Sequence, residues 1–310
     1  MSHKEFNKLP GFRDFPPEDF ARRSYIQGAW RRIAQRYGFQ EYDGPPLESL
    51  DLYVEKSGDE IVGQLYNFVD KGDRDVALRP EMTPSLARIL AKRSRGMSKP
   101  IKWFSMPQLF RYERAQRGRL REHFQWNVDI IGESSVAADA EVLAIAIDGL
   151  RELGLTDKDF VARVSDRRLL TALLLGIGVQ EENLGATFGV IDKIERLPAE
   201  KAEQLLVEQA GLEKTEIEAL KSLLSSTRID DVTREFGDDS RVAEELHRFR
   251  QYIDMLESMG LGDFVELDLR IVRGLAYYTG IVFELFDRKG DLRAICGGGR
   301  YDRLLELVGG

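Results

Sequence analysis

The sequence has 310 residues, room for one large domain or two ordinary ones and for a full hydrophobic core. With 43% apolar and 32% charged residues it excludes a disordered chain, and its lone cysteine, Cys296, excludes an internal disulfide or a cysteine-cluster metal site. His3, His123 and His247 lie far apart without metal-ligand spacing, no apolar run approaches the roughly 20 residues of a membrane helix, and the first residues carry no secretory core or lipidation signal. The expectation is a reduced, cytoplasmic protein with no membrane association. Net charge is −8, yet residues 91–121 hold ten basic side chains against one acid, Glu113. Such an island in an acidic chain points to a local polyanion site, a nucleotide or a stretch of RNA, or else to a solvated basic face.

In chain order, the first predicted element is a helix over 17–37. Pro16 and Pro17 precede it, Glu18 and Asp19 suit its positive end, and Gly38 suits the left-handed position after it. Phe20, Ile26, Trp30, Ile33 and Tyr37 are expected to share its buried face. GFQEYDGPPLE reads as a short strand stopped by Pro45 and Pro46. Residues 65–70 and 76–79 read as a hairpin, and Thr83 with Pro84 as the N-cap and first position of a helix over 84–94. Across 108–131 polar and apolar residues alternate, which predicts antiparallel strands with one aromatic face and one face carrying arginine, carboxylate and carboxamide, as the floor of a cleft would.

A helix is predicted over 137–153, closed by Gly154, then a strand over 160–165. From 167 to 256 the texture is helical with almost no strand signal. Strands return at 264–272 and 281–287, then come a turn at Arg288–Asp291, a strand at 292–296, Gly297-Gly298-Gly299, read as allowing a tight turn against a ligand or neighbouring backbone, and a helix from about Arg300. Strands on both sides of a helical block imply an α+β plan: one antiparallel sheet flanked by helices and interrupted by an insertion. The expected division is a first core part over 1–166, a helical insertion over 167–256 and a second core part over 257–310.

The triple glycine lacks the lysine and hydroxyl of a phosphate loop and the spacing of a dinucleotide fingerprint. No histidine has the context of a hydrolase triad, His123 reads as structural, and Cys296 reads as a small buried residue. The chemistry gathers in four runs: LRPEMT (78–83), FRYERAQRGRLREHFQWNVD (110–129), RGLAYYTG (273–280) and GGGRYDRLL (297–305). Arginines on a sheet floor suit phosphate oxygens, nearby carboxylates suit a ligand amine or ring N–H, and a tyrosine pair suits a planar ring.

These runs, with PGFRDFPPE (10–18) and YGFQEYDGPPLE (37–48), resemble the histidyl-tRNA synthetase family of class II aminoacyl-tRNA synthetases, in order and along the whole chain. PGFRDFPPE and the Pro45 segment look like its dimer-interface signature, LRPEMT like its amino-acid loop, FRYER with GRLRE like its ATP hairpin, and the last two runs like its histidine-specific signatures. The resemblance implies that Arg273 and Arg111 are catalytic, and that Arg111, Glu113 and Arg121 bind ATP. It implies a histidine site of Glu81, Met82, Thr83, Arg111, Gln125, Asp129, Arg273, Tyr277 and Tyr278, with Asp129 and Tyr278 reading the imidazole. ATP, Mg²⁺, tRNA(His) and a second copy of the chain are the implied partners, with no protein-bound metal site.

Two departures stand out. The order His123-Phe124 before Gln125 is the reverse of the family's. The third class II signature and an anticodon-binding domain would follow Gly310, so a catalytic portion is the expectation. The alternative reading is a histidine-sensing regulatory subunit of ATP phosphoribosyltransferase, and a third is a synthetase-like RNA-sensing module. Retention of Arg111, Arg121 and Arg273 favours the ligase.

Overall fold

A computed structural model describes residues 6–57, 59–112, 120–272, 278–290, 293–304 and 306, with the backbone alone at 55–57 and 59–61. The chain forms two compact units, residues 1–133 with 303–310, and residues 134–302.

In the first unit α1 (Pro17–Arg36) begins with proline inside its first turn, where a missing N–H costs nothing. Its buried residues are Ala29, Ile33 and Ala34, while Phe20 is 50% exposed and Ile26 also faces solvent. The predicted face is therefore corrected in part: Ile33 is buried and Trp30 and Tyr37 half-buried as expected, but small residues let the helix approach its support, and Phe20 instead lies under the Arg23 guanidinium at 4.6 Å. Trp30 stacks on Trp126, ring centroids 5.7 Å apart. The next elements are β1 (Gln40–Glu41), β2 (Leu47–Ser49), α2 (Asp51–Ser57), β3 (Asn67–Val69) and β4 (Asp75–Leu78). The expected hairpin is β3–β4, and β2 joins it on the other side of β4.

Helix α3 (Thr83–Arg93) starts one residue earlier than predicted, with Met82 rather than Thr83 at the cap position and no side-chain cap bond. It buries Leu86 and Leu90 against Ile101 on β5 (Ile101–Ser105). The alternating stretch is divided into β6 (Gln108–Phe110), β7 (Glu122–Phe124) and β8 (Asn127–Ile131). The first two pair as a two-stranded sheet, whereas β8 turns at Gln125–Trp126 and pairs antiparallel with β5, which pairs parallel with β1.

The second unit begins with α4 (Val136–Arg151) and β9 (Phe160–Asp166), where six of seven strand residues are buried. Six helices follow without an intervening strand among the described residues: α5 (Arg167–Gly176), α6 (Leu184–Ile191), α7 (Ala199–Glu208), α8 (Lys214–Leu224), α9 (Ile229–Phe236) and α10 (Ser240–Ser258). Glu213 and Glu216 close a capping box on α8, which satisfies two end N–H groups at once. Helix α10 packs on α4 and α5 through Leu246, Phe249, Tyr252 and Leu256. Then come β10 (Val265–Leu267), β11 (Ile281–Asp287) and β12 (Cys296–Gly299) in a sheet of order β10-β9-β11-β12. The strands before and after the helical block, β9 and β11, pair antiparallel along their whole length, from Ile281↔Asp166 to Asp287↔Phe160. The fold class is α+β as expected, although the strands form several sheets and β10–β9 is parallel.

The glycine run does not turn; it is itself the edge of strand β12. A Cβ on Gly298 would come 2.8 Å from the Phe283 ring, and one on Gly299 within 2.8 Å of Tyr278 and Val282, so the run gives two rings room to lie on backbone. Cys296 is exposed rather than buried, and residues 302–304 turn where a helix was expected.

Candidate active site

The LRPEMT run leaves β4 at Arg79, which is 5% exposed. A buried guanidinium needs acceptors, and this one finds them on two separate segments. Its Nε donates to the Gln108 carbonyl at 3.1 Å, and its Nη1 to Asp43 at 2.8 Å and to the Gly44 carbonyl at 2.6 Å. The main chain is tied as well: Arg79 N–H donates to Pro46 O, and Phe110 N–H donates to Arg79 O. Arg79 thus fastens the double-proline loop, the LRPEMT run and β6 together. Sequence reading missed it, because its role is defined by partners about 30 residues away on either side. Met82 is fully buried beneath this junction, in contact with Arg79 Nη1 and under Gly44, while Glu81 and Thr83 are half-buried beside it.

Arg111 is exposed and donates Nε to the Pro80 carbonyl at 3.3 Å, so the FRYER run reaches the LRPEMT run through this residue. Its N–H donates to Arg121 O at 3.0 Å, closing the hairpin one step beyond β6–β7. The Arg121 guanidinium lies over the Tyr112 ring at 4.5 Å, and Arg121 N–H donates to Gly11 O. Gly11 has φ +86°, and a Cβ there would meet Arg121 Cγ at 2.8 Å; the PGF run requires glycine at this close approach. Behind β7, Glu122 is almost fully buried and accepts from Arg13 N at 2.9 Å, from Arg13 Nε at 3.2 Å and from Gln108 Nε2. The run 110–129 is therefore held by polar bonds from the N-terminal segment.

Gln125 is exposed with its N–H on Pro107 O, and Asp129 is half-buried on β8 opposite Trp103. Burial, with the negative charge of Asp129 behind it, pushes the Tyr42 phenol well above its ordinary range. Glu81, Thr83, Met82, Arg111, Arg121, Gln125 and Asp129 all belong to the first unit. Glu113, Arg273 and Tyr277 lie outside the described residues.

In the second unit Tyr278 is buried in a cluster with Ile271 and Val282, its ring 6.2 Å from that of Tyr301. Arg300 pairs with Asp139, and Arg248 with Asp166, which also caps α5 by accepting from Arg168 N and Leu169 N. Burial pushes both carboxyls up, against the pull of Arg300 on Asp139 and of Arg248 on Asp166. Burial works against the charged form of Asp302 too, yet the Thr279 hydroxyl and the Arg300 and Arg168 charges hold it below the usual carboxylate range.

Comparison with known proteins defines the class first. A solved structure described as an ATP phosphoribosyltransferase regulatory subunit/histidyl-tRNA synthetase from Bacillus halodurans superimposes with a TM-score of 0.84, at 26% identity, over 97% of this chain and 78% of that one. This is the α+β catalytic fold of an aminoacyl-tRNA synthetase. The profile of the histidyl-tRNA synthetase family matches residues 11–310. The histidine–tRNA ligase of Opitutus terrae is 46% identical over 98% of this chain and 70% of its own length, and the chloroplastic/mitochondrial histidine–tRNA ligase of Arabidopsis thaliana is 44% identical over 99% and 63%. The chain belongs to the histidyl-tRNA synthetase family, a family of aminoacyl-tRNA ligases.

Proposed function

We propose that the protein carrying this chain is a histidine–tRNA ligase: it joins histidine to ATP as histidyl-adenylate, releasing pyrophosphate, and passes the histidyl group to the terminal adenosine of tRNA(His). The observation that carries the reading is the agreement of family and polar geometry, with Arg111 anchored on the Pro80 carbonyl of the amino-acid loop and continuous with Arg121. In the activation step a histidine carboxylate oxygen attacks the α-phosphorus and the bond to the β-phosphate oxygen breaks. Charge builds on a five-coordinate phosphorus, and a guanidinium already fixed by its Nε stabilises it without reorganising. Arg111 takes the α-phosphate and the substrate carboxylate, Arg121 the outer phosphates and Glu113 the adenine. Glu81, Thr83 and Gln125 take the α-amino group above the support of Met82. Asp129 and Tyr278 read the imidazole, Tyr277 completes the histidine site, and Arg273 acts as the catalytic arginine.

Among the described residues no three carboxylate, histidine or cysteine side chains gather into a metal cage. The reading assigns Mg²⁺ to the ATP phosphates, whose charge it would offset. Residues 167–256 are assigned as an insertion between two core parts, 1–166 and 257–310, because β9 and β11 pair across them. A two-fold homodimer and a cytoplasmic location complete the reading; among the described residues no helix is long and apolar enough to cross a membrane.

Histidine-dependent ATP–pyrophosphate exchange tests the proposal. Exchange with histidine and not with other amino acids is the expected result, and histidine binding without any exchange would instead support the regulatory reading that the Bacillus halodurans description names.

A further inference from the structure

The end of the RGLAYYTG run and the middle of the GGGRYD run are bonded to each other in the second unit. Thr279 N–H donates to Arg300 O at 2.8 Å and Arg300 N–H to Ile281 O at 2.9 Å. The Arg300 side chain then leaves the strand across Gly280, where a Cβ would stand 3.1 Å from its Cδ. Its Nε donates to Asp139 at 3.0 Å and its Nη2 to the other Asp139 oxygen at 2.7 Å, a forked pair; Nη2 also donates to Ser135 O at 2.8 Å. Both side chains are buried, 9% and 8% exposed, and Asp139 belongs to the first turn of α4. Asp302 repeats the connection from the other side: it accepts from the Thr279 hydroxyl at 2.7 Å, and its own N–H donates to that oxygen at 3.1 Å. Between these bonds Tyr278 lies in its cluster, ring against Gly299.

We infer that Arg300 and Asp139 are positioning residues that hold Tyr278 at the place where it reads the histidine ring. The inference rests on the histidine-binding reading above. A forked arginine–carboxylate bond fixes direction as well as distance, so the pair transmits the location of α4 to the segment 278–281. The side chains are largely buried and the fork occupies both Asp139 oxygens, so removing Asp139 withdraws two contacts at once and leaves Arg300 with the more exposed Asp302 at 3.3 Å. Arg300 touches the rest of the site through Thr279 and Gly280, the residues that follow Tyr278, and so acts through them.

The test compares Asp139→Asn, Arg300→Lys and the neutral double variant Asp139→Asn/Arg300→Gln with the parent protein. In pyrophosphate exchange each single variant is expected to raise the histidine KM about tenfold or more while the ATP KM stays within about twofold. Amide hydrogen exchange at Thr279 and Arg300 should quicken by about tenfold or more in the same variants. The double variant should recover most of both effects, since its two amide groups satisfy one another. Activity that falls only in proportion to the folded fraction, with both KM values unchanged or raised together, would overturn the positioning role. If the parent shows neither histidine-dependent exchange nor histidine binding, the histidine reading fails, and amide exchange alone then decides the pair; unaltered exchange at Thr279 and Arg300 would overturn it. Arg300→Lys retains the charge and guards against a variant that does not fold.

Discussion

The two units bury arginine in different company. In the first, Arg79 is satisfied mainly by backbone carbonyls, and its one carboxylate partner, Asp43, is 68% exposed. In the second, Arg248 faces Asp166, which is fully buried, and Arg300 faces Asp139, whose side chain is 8% exposed. An arginine held by carbonyls can be lost without leaving a charge behind in the interior. An arginine held by a buried carboxylate cannot, so each partner there depends on the other. The first arrangement suits a junction of loops, because carbonyls are available wherever chain segments meet. The second suits a packed layer of helices on a sheet, where only side chains reach across.

The contrast is sharpest in Arg248→Met. It strands Asp166, and the expected loss of stability in urea unfolding is about 3–5 kcal/mol. A loss below that of Arg79→Met would break the comparison. For Arg79→Met the expectation is about 2–3 kcal/mol, from two carbonyls deprived of a charged donor while Asp43 returns to water. That variant should also slow pyrophosphate exchange, because Pro80, which receives Arg111, is the next residue. Asp302→Asn should cost about 1 kcal/mol near neutral pH, since the carboxylate is partly exposed. The sign of its pH dependence follows from a carboxyl held below its ordinary range: its contribution is present above the unfolded value and lost as pH falls through the folded one. The gap between Asp302→Asn and the parent should therefore close on acidification, and a gap that widens would contradict the bonds assigned to this residue. The smallest effect belongs to Asp70→Asn in the β3–β4 turn, where a pair with the exposed Arg74 is weakened; its thermal midpoint should move less than that of any variant above.

What was legible in the sequence follows the same division. Helices α1 and α4, the β3–β4 hairpin, β9, and the run of helices after it declared themselves through periodicity and punctuation, because those are local properties. The site runs LRPEMT and FRYER were also visible, as clusters of arginine and carboxylate on short segments. Arg79 and Glu122, which hold those runs in place, were not: their partners sit far away in the chain, and nothing nearby distinguishes them from surface charges. The face of α1 was misjudged in part because ring-bearing residues recur at helical spacing, whereas close approach there is made by Ala29 and Ala34. Gly297–Gly299 was read as allowing a tight turn since glycine usually marks one; in β12 the neighbouring rings of Phe283 and Tyr278 impose the choice instead. The two carboxylate pairs of the second unit escaped notice for the reason that Arg79 did, with Asp139 and Arg300 161 positions apart.

The bond between Arg13 and Glu122 spans 109 residues and so carries a message about synthesis. A ribosome adding about 5–20 residues per second needs roughly 5–20 seconds to pass from one to the other. Through that interval Arg13 and Gly11 have been made, but Glu122 and Arg121, which they meet in the finished unit, have not. Closing so long a loop costs only slightly more entropy than closing one half its length, so waiting is thermodynamically cheap. It is kinetically exposed, however: the first segment of the unit is also among the last to find its place, and a pause in translation before residue 122 would leave it searching for a strand that does not yet exist.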